Sequence, residues 1–345
     1  MRKALRVFLL PIVLALLPVS VQAASVEDFY KSKTLQFIVG GTAGGGYDTY
    51  TRLIARHISR YIPGNPATVV QNMPGAAMLI AANHTYNSAP RDGTAIGNWS
   101  GPLILQHMLG NRGVRFDGKK FSWLGMPTAD SLVCITTERS GIRSVDDWRK
   151  SKTRLKFGGN GPGTSGTDDV KIFAAAAAGD FPVQVIEGYK GTADIRIAAE
   201  TGELDGSCTL SWQSAKVTWA NALKAKQVHV VLQMSFESHP DLKGVPLAVD
   251  FTKTDEGKKL LRIASDVYGK QRLYSLPPQV PAQRVQSLQK AFIAALKDPQ
   301  LLAEAEKAKL EIDPVDGPGI EKMVSGLYEI EPAVVNRVKQ ILDAK

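Results

Sequence analysis

From residue 35 onward, short apolar runs alternate with stretches in which apolar positions recur every three or four residues. The first pattern is that of buried strands and the second that of amphipathic helices. LQFIV (35–39) precedes a helix starting near Asp48, ATVVQ (67–71) precedes one over 76–86, and TAIGNW (94–99) precedes one over 103–109. The middle of the chain repeats the theme. SLVCITT (131–137) leads to a helix carrying Trp148, opened by the capping box Ser144-Val-Asp-Asp147. RLKFGG (154–159) leads through a glycine loop to VKIFAAAAAG, whose alanine run predicts a face packed closely against a sheet. VQVIEGY (183–189) leads to a helix over 192–200, LDGSCTL (204–210) to one over 217–223, and VHVVLQMS (228–235) closes the section.

A less regular stretch with Pro240 and Pro246 occupies 237–276, and helical runs over 281–298, 301–310 and 319–342 end the chain. Strands alternating with helices predict an α/β fold of parallel strands and crossover helices. No period of 20 to 50 residues recurs, which argues against a solenoid.

Two glycine-rich stretches join a strand to a helix: GGTAGGGYD (40–48) and GGNGPGTSGTDD (158–169). Such turns let backbone N–H groups converge on an anion, with the helix dipole adding to the attraction. Phosphate nucleotides are disfavoured at the first. Gly41 and Gly46 have Walker-loop spacing, but Tyr47 and Asp48 replace the lysine and hydroxyl residue; the dinucleotide fingerprint fails at Thr49. Asp48 reads equally as a helix N-cap and as a ligand contact. Beyond it Leu53, Ile54, His57, Ile58, Tyr61 and Ile62 form an apolar stripe, with Arg52, Arg56 and Arg60 on a solvated face.

In the second loop Thr164, Ser165 and Thr167 supply hydroxyls, and Gly163 and Gly166 permit close backbone approach. Two such loops in two domains predict one ligand held from both sides. The candidate ligand-binding residues are Thr42, Ala43, Gly44, Gly45 and Asp48 in the first loop and Gly163, Thr164 and Ser165 in the second. Trp99, Ser100, Tyr189 and Trp212 join them at strand ends, where open α/β sheets bind ligands. Trp99 reads as readily as a core aromatic, and Lys190 more readily as a solvated lysine than as a carboxylate's partner.

No catalytic residues are assigned: the chain lacks G-x-S-x-G, H-E-x-x-H and a paired-carboxylate motif. The five histidines show no ligand spacing, so neither a metal nor a cofactor is expected. Residues 1–23 begin with Arg2, Lys3 and Arg6, continue with an apolar run and end Val21-Gln22-Ala23, the pattern of a signal peptide cleaved near Ala23. No membrane anchor is expected in the mature chain. Without those three cations the net charge of +9 falls to +6, and the Lys and Arg are dispersed, which argues against a nucleic-acid surface. Cys134 and Cys208 lie in strand-like runs; whether they meet is left open by the sequence.

FIVGGTAGGGYD (37–48), VVQNMPGAA (69–77), APRDGTAIG (89–97), the loop 161–165, EGYKGTADIRIAAETGELDG (187–206) and SLPPQVPAQRVQSLQKAFIAALKDPQLL (275–302) together resemble the substrate-binding components of tripartite tricarboxylate transporters, the Bug-type periplasmic receptors. The resemblance runs through nearly the whole mature chain in order. It implies a type II periplasmic binding protein with two α/β domains joined by a hinge, closing over a small organic acid. The domains expected are 25–126 plus 235–345 and 127–234, with crossings near Met126-Pro127 and Gln233-Met234. The implied protein is a periplasmic monomer, not an enzyme, that delivers its ligand to the transporter's membrane subunits. A receptor serving a membrane sensor, or a secreted hydrolase, are the alternatives. The chain departs from the family at Gly40-Gly41, where relatives have Pro-Phe or Pro-Tyr, at Ala76-Ala77, and at Asp168-Asp169, near the place of a frequent histidine.

Overall fold

The computed structural model describes residues 25–344 other than Asp130, Asn160, Ser165, Lys190 and Gly191. The expected leader, the candidate Ser165 and Lys190 therefore lie outside the described residues. Helix α1 (Val26–Tyr30) and strand β1 (Thr34–Val39) lead into α2 (Gly46–Ile58), followed by β2 (Ala67–Asn72), α3 (Leu79–Asn87), β3 (Ala95–Trp99), α4 (Pro102–Met108) and β4 (Ser122–Met126). The middle section holds β5 (Leu132–Thr137), α5 (Val145–Lys150), β6 (Leu155–Gly159), α6 (Asp168–Ala176), β7 (Val183–Glu187), α7 (Thr192–Thr201), β8 (Gly206–Ser211), α8 (Trp212–Thr218), α9 (Ala220–Lys224) and β9 (Val228–Gln233). The chain ends with α10 (Asp255–Tyr268), β10 (Leu273–Leu276), α11 (Ala282–Leu296), α12 (Pro299–Lys307), β11 (Val315–Asp316), α13 (Gly317–Tyr328) and α14 (Pro332–Asp343).

The strands form two sheets, β11-β4-β10-β3-β1-β2 and β7-β6-β8-β5-β9. Both are mixed: the parallel strands expected from the alternation are present in each, with antiparallel strands beside them. β1 runs parallel to β2 and β3, but β10 inserts antiparallel between β3 and β4. In the second sheet β6 runs parallel to β7 and β8, and β5 antiparallel to β8 and β9. The antiparallel members are β10 and β11, which return from the far end of the chain to the first sheet, and β5 in the second.

Several helices depart from their expected limits. The run 319–342 breaks into α13 and α14 because Pro332 forces Glu331 into an extended conformation (ψ 130°). The 237–276 stretch, read as irregular, contains α10 and β10. α3 starts at Leu79 instead of residue 76, because Ala76, Ala77 and Met78 all adopt positive φ. The alanine-rich α6 packs on α10 as well as on its sheet: a side chain at Gly257 of α10 would come within 2.5 Å of the Ala176 carbonyl oxygen. Where the pattern is strongest it is obeyed. Leu53, Ile54, His57 and Ile58 of α2 and the following Ile62 are buried, and Ser144 Oγ accepts from the Asp147 N–H at the start of α5 (3.2 Å).

One continuous apolar cluster reaches from Trp99 and Trp123 through Trp148, Phe157 and Phe173 to Leu260 and Val338, joining elements of both sheets. A disulfide links Cys134 of β5 to Cys208 of β8, both buried. Among the described residues no helix is long and apolar enough to cross a membrane.

Candidate functional site

Each glycine loop lies at the carboxyl end of a strand that has parallel neighbours, β1 in one sheet and β6 in the other. In an α/β sheet that edge is where backbone N–H groups and helix N-termini point outward. After Val39 the Gly40 N–H still donates to Asn98 O (2.9 Å), so the loop begins flush with the sheet. It turns at Gly44, whose φ of 76° favours glycine. Gly45 caps α2 in an extended conformation.

Asp48 is therefore not the N-cap expected from the sequence, because the helix begins two residues earlier, at Gly46. From the third helical position its carboxylate reaches back to the Gly44 N–H (2.8 Å) and also accepts from Arg52 Nε (2.9 Å) and Asn72 Nδ2 (3.0 Å). Burial opposes its ionisation, but these three donors outweigh that cost and hold its pKa below the usual carboxylate value. The group organises the loop. Thr42, Ala43 and Gly44 are exposed, and no acceptor among the described residues takes the N–H of Ala43 or Gly46. Those donors, at the start of a 13-residue helix, face solvent where an anion gains from the dipole.

The second loop repeats the device. The Gly163 N–H, at φ 83°, donates to Asp168 Oδ2 (2.8 Å) in the first turn of α6, and the Gly166 N–H donates to Asp169 Oδ1 (2.8 Å). Thr164 Oγ1, expected to face a ligand, instead donates to the Gly161 carbonyl, and the Gly161 N–H donates to Thr167 Oγ1 (3.1 Å). Both threonine hydroxyls are engaged within the loop because its glycines leave carbonyl and N–H groups that nothing else satisfies locally.

The two loops are linked through residues that the sequence reading passed over. Asp168 Oδ2 also accepts from Tyr268 OH on α10 (3.2 Å) and Gln106 Nε2 on α4 (3.3 Å). Tyr268 O accepts from Gln271 Nε2 (2.6 Å), and Gln271 Oε1 accepts from Ser100 Oγ (3.1 Å) and from the Tyr47 hydroxyl at the start of α2. Arg272, nearly buried, places its guanidinium carbon 4.7 Å from the Tyr50 ring centroid and 5.6 Å from that of Tyr47. Gly46 leaves room for it: a side chain there would meet Arg272 Nη2 at 3.3 Å. Beside them Asn98 is fully buried, and neither polar atom of its side chain has a partner among the described residues.

The remaining candidates are placed as follows. Ser100 joins the loop network through Gln271. Trp99 does not reach a surface: it is fully buried, its indole N–H donates to Ser275 Oγ (2.9 Å), and Phe116, Phe121 and Trp123 surround it. β3 is buried along its whole length, and Trp99 takes the core-aromatic place that the sequence left as open to it as a ligand contact. The Tyr189 N–H donates to Gly159 O (3.3 Å) at the entrance of the second loop, and its hydroxyl to Glu203 (2.7 Å). Trp212 sits in a separate apolar cluster with Ile195 and Trp219, its indole N–H on Asp241 (3.2 Å). Among the described residues no three His, Cys, Asp or Glu side chains gather as metal ligands.

No protein-family model matches the chain, and no curated protein sequence does. Solved structures do match. A TctC solute binding protein from Polaromonas superposes with a TM-score of 0.65 at 14% identity, covering 90% of this chain and 98% of its own. The periplasmic binding protein BugD gives 0.64 at 16% identity, covering 90% and 97%. An R. palustris protein solved with adipate gives 0.65 at 18% identity, covering 91% and 97%. At these identities the likeness speaks to architecture: the chain has the two-sheet α/β fold of the periplasmic solute-binding proteins TctC and BugD.

Proposed function

We propose that this chain is an extracytoplasmic solute-binding protein that holds a small organic acid between its two glycine loops and passes it to the membrane subunits of a tripartite tricarboxylate-type transporter. The observation that carries the reading is the repeated strand, glycine loop and helix, once on each sheet, with the N–H groups of Ala43 and Gly46 open to solvent. A carboxylate there is met by backbone donors and a helix N-terminus, with the Arg272 cation close behind Gly46. The adipate bound by one structural neighbour is a small carboxylate of the same class.

In this reading residues 1–23 direct export, 25–126 plus 235–345 form one domain and 127–234 the other. The ligand is bound by Thr42, Ala43, Gly44 and Gly45 with Ser100 and Arg272 on one side, and by Gly163 and Tyr189 on the other. No covalent chemistry is assigned to it. The test is a thermal-shift screen of ligand-stripped protein against mono-, di- and tricarboxylates, followed by the same screen on Gly45→Val. Valine suits the extended backbone at that position (φ −77°, ψ 170°), and its Cβ would meet Thr42 O at 3.2 Å, a close contact that Thr42, in the exposed loop, must relieve by a few tenths of an ångström; a cooperative melting transition of the variant checks that it folds. An acid at a hundred times its Kd stabilises the parent by about 2.7 kcal/mol, and Gly45→Val weakens that acid about tenfold or more, roughly 1.4 kcal/mol. Undiminished affinity in the folded variant overturns the glycine-loop site; no response to any acid overturns the carboxylate reading.

A further inference from the structure

A cavity of about 890 Å³ is walled by α10, α13 and α14, and no residue of either glycine loop lines it. Its volume falls within the range of small-molecule sites. The floor is apolar: Ile263 of α10, Ile320, Met323 and Leu327 of α13, and Val334 of α14. The rim is basic, with five Lys or Arg against three acids among its lining residues. Lys258, Arg262 and Asp266 follow one another four residues apart along one ridge of α10. Arg262 stacks 3.8 Å above the Phe236 ring, while Lys259 is tied to Glu331 (2.7 Å). Lys258 and Lys322 face no carboxylate at ion-pair distance among the described residues, while Lys270 and Arg262 share the half-buried Asp266 as an electrostatic neighbour, so the rim keeps an excess of two positive charges.

Gly326 is one of the residues that line this cavity. It lies inside α13, where glycine is the poorest helix former after proline, and nothing lies within 4 Å of where its side chain would stand. Packing therefore does not demand glycine. Its lack of a side chain keeps the wall between Met323 and Ile330 open.

We infer that this cavity is a second ligand site, for an amphipathic anion: a carboxylate on an aliphatic chain, its chain on the α13 floor and its charge among Lys258, Arg262, Lys270 and Lys322. The apolar floor rejects small polar acids, and the excess of cations rejects an amphipathic cation. The site is independent of the glycine loops and of the ligand proposed for them.

Isothermal titration of the full-length mature protein with decanoate tests this. One site is expected in the parent and, unchanged, in Gly45→Val. Gly326→Leu fills the open wall and is expected to lose at least tenfold in affinity while melting at or above the parent temperature, since leucine is the better helix former. Met323→Gln, on the half-buried part of the floor, is expected to weaken binding without altering the fold and serves if Gly326→Leu does not fold. Decyltrimethylammonium, with the same chain and the opposite charge, is expected to bind at least tenfold more weakly. The inference is overturned by absence of decanoate binding, by loss of binding in Gly45→Val, by equal affinity in both cavity variants, or by equal affinity for the cation.

Discussion

The Asp168 carboxylate accepts hydrogen bonds from the Gly163 N–H, Gln106 and Tyr268, yet burial outweighs them and pushes its pKa up to about 6. Lys171 offsets this only from a distance and Glu187 adds to it. The contrast with Asp48 is instructive, because there Arg52 makes direct contact and the pKa falls. Folded Asp168 binds its proton more tightly than an unfolded aspartate, so its ionisation in the folded state penalises stability progressively from about pH 4 to pH 6, by about 3 kcal/mol when complete. Asp168→Asn keeps an acceptor for the Gly163 N–H and Tyr268 OH and removes the charge. The expected result is higher stability at pH 7 and loss of that component of the pH dependence between 4 and 6, read by urea unfolding at a series of pH values. An unchanged profile would show that the carboxyl titrates normally.

Among elements, β5 and β8 carry the clearest covalent constraint. The Cys134–Cys208 disulfide spans 74 positions, and closing a loop of that length in the unfolded chain is worth roughly 4 kcal/mol in the chain-entropy account. Cys134→Ala combined with Cys208→Ala should lower the Tm by roughly 10 °C, and dithiothreitol should lower the parent in the same direction without affecting the variant. α10 is the element whose omission from the sequence reading cost most, because its end and the following turn carry Tyr268, Gln271 and Arg272. A signal existed: Thr254 caps the helix by accepting from the Gly257 N–H (3.0 Å), and Leu260, Ile263, Ala264 and Val267 recur at helical spacing. The prolines at 240 and 246 made the surrounding stretch read as loop, although both precede the helix.

At the scale of the whole molecule, the two sheets are joined by more than two chain crossings. α6 packs on α10 and α14, the apolar cluster is continuous across them, and Asp168 is bonded to both α4 and α10. Hinge closure, in the function proposed above, must turn about this contact instead of opening it, since separating α6 from α10 would expose the apolar face they share. Small-angle scattering is expected to show a smaller radius of gyration with a stabilising acid than without it. The Gly45→Val variant should show no such change at the same acid concentration. Equal radii in the parent with and without a bound acid would mean that the ligand is held without domain movement.

What the sequence determined by itself was local: the alternation of strands and helices, the buried stripe of α2, the capping box of α5 and the placement of two glycine loops at strand ends. Each depends on residues within a turn or two, so its signal lies in the spacing. Tertiary structure alone decided that β10 inserts antiparallel beside β3, that Cys134 meets Cys208, that Trp99 turns into the core, and that Asp168 meets Tyr268 a hundred residues away. Those contacts follow from long-range strand pairing and helix packing, and loop closure over such distances leaves no local pattern to read.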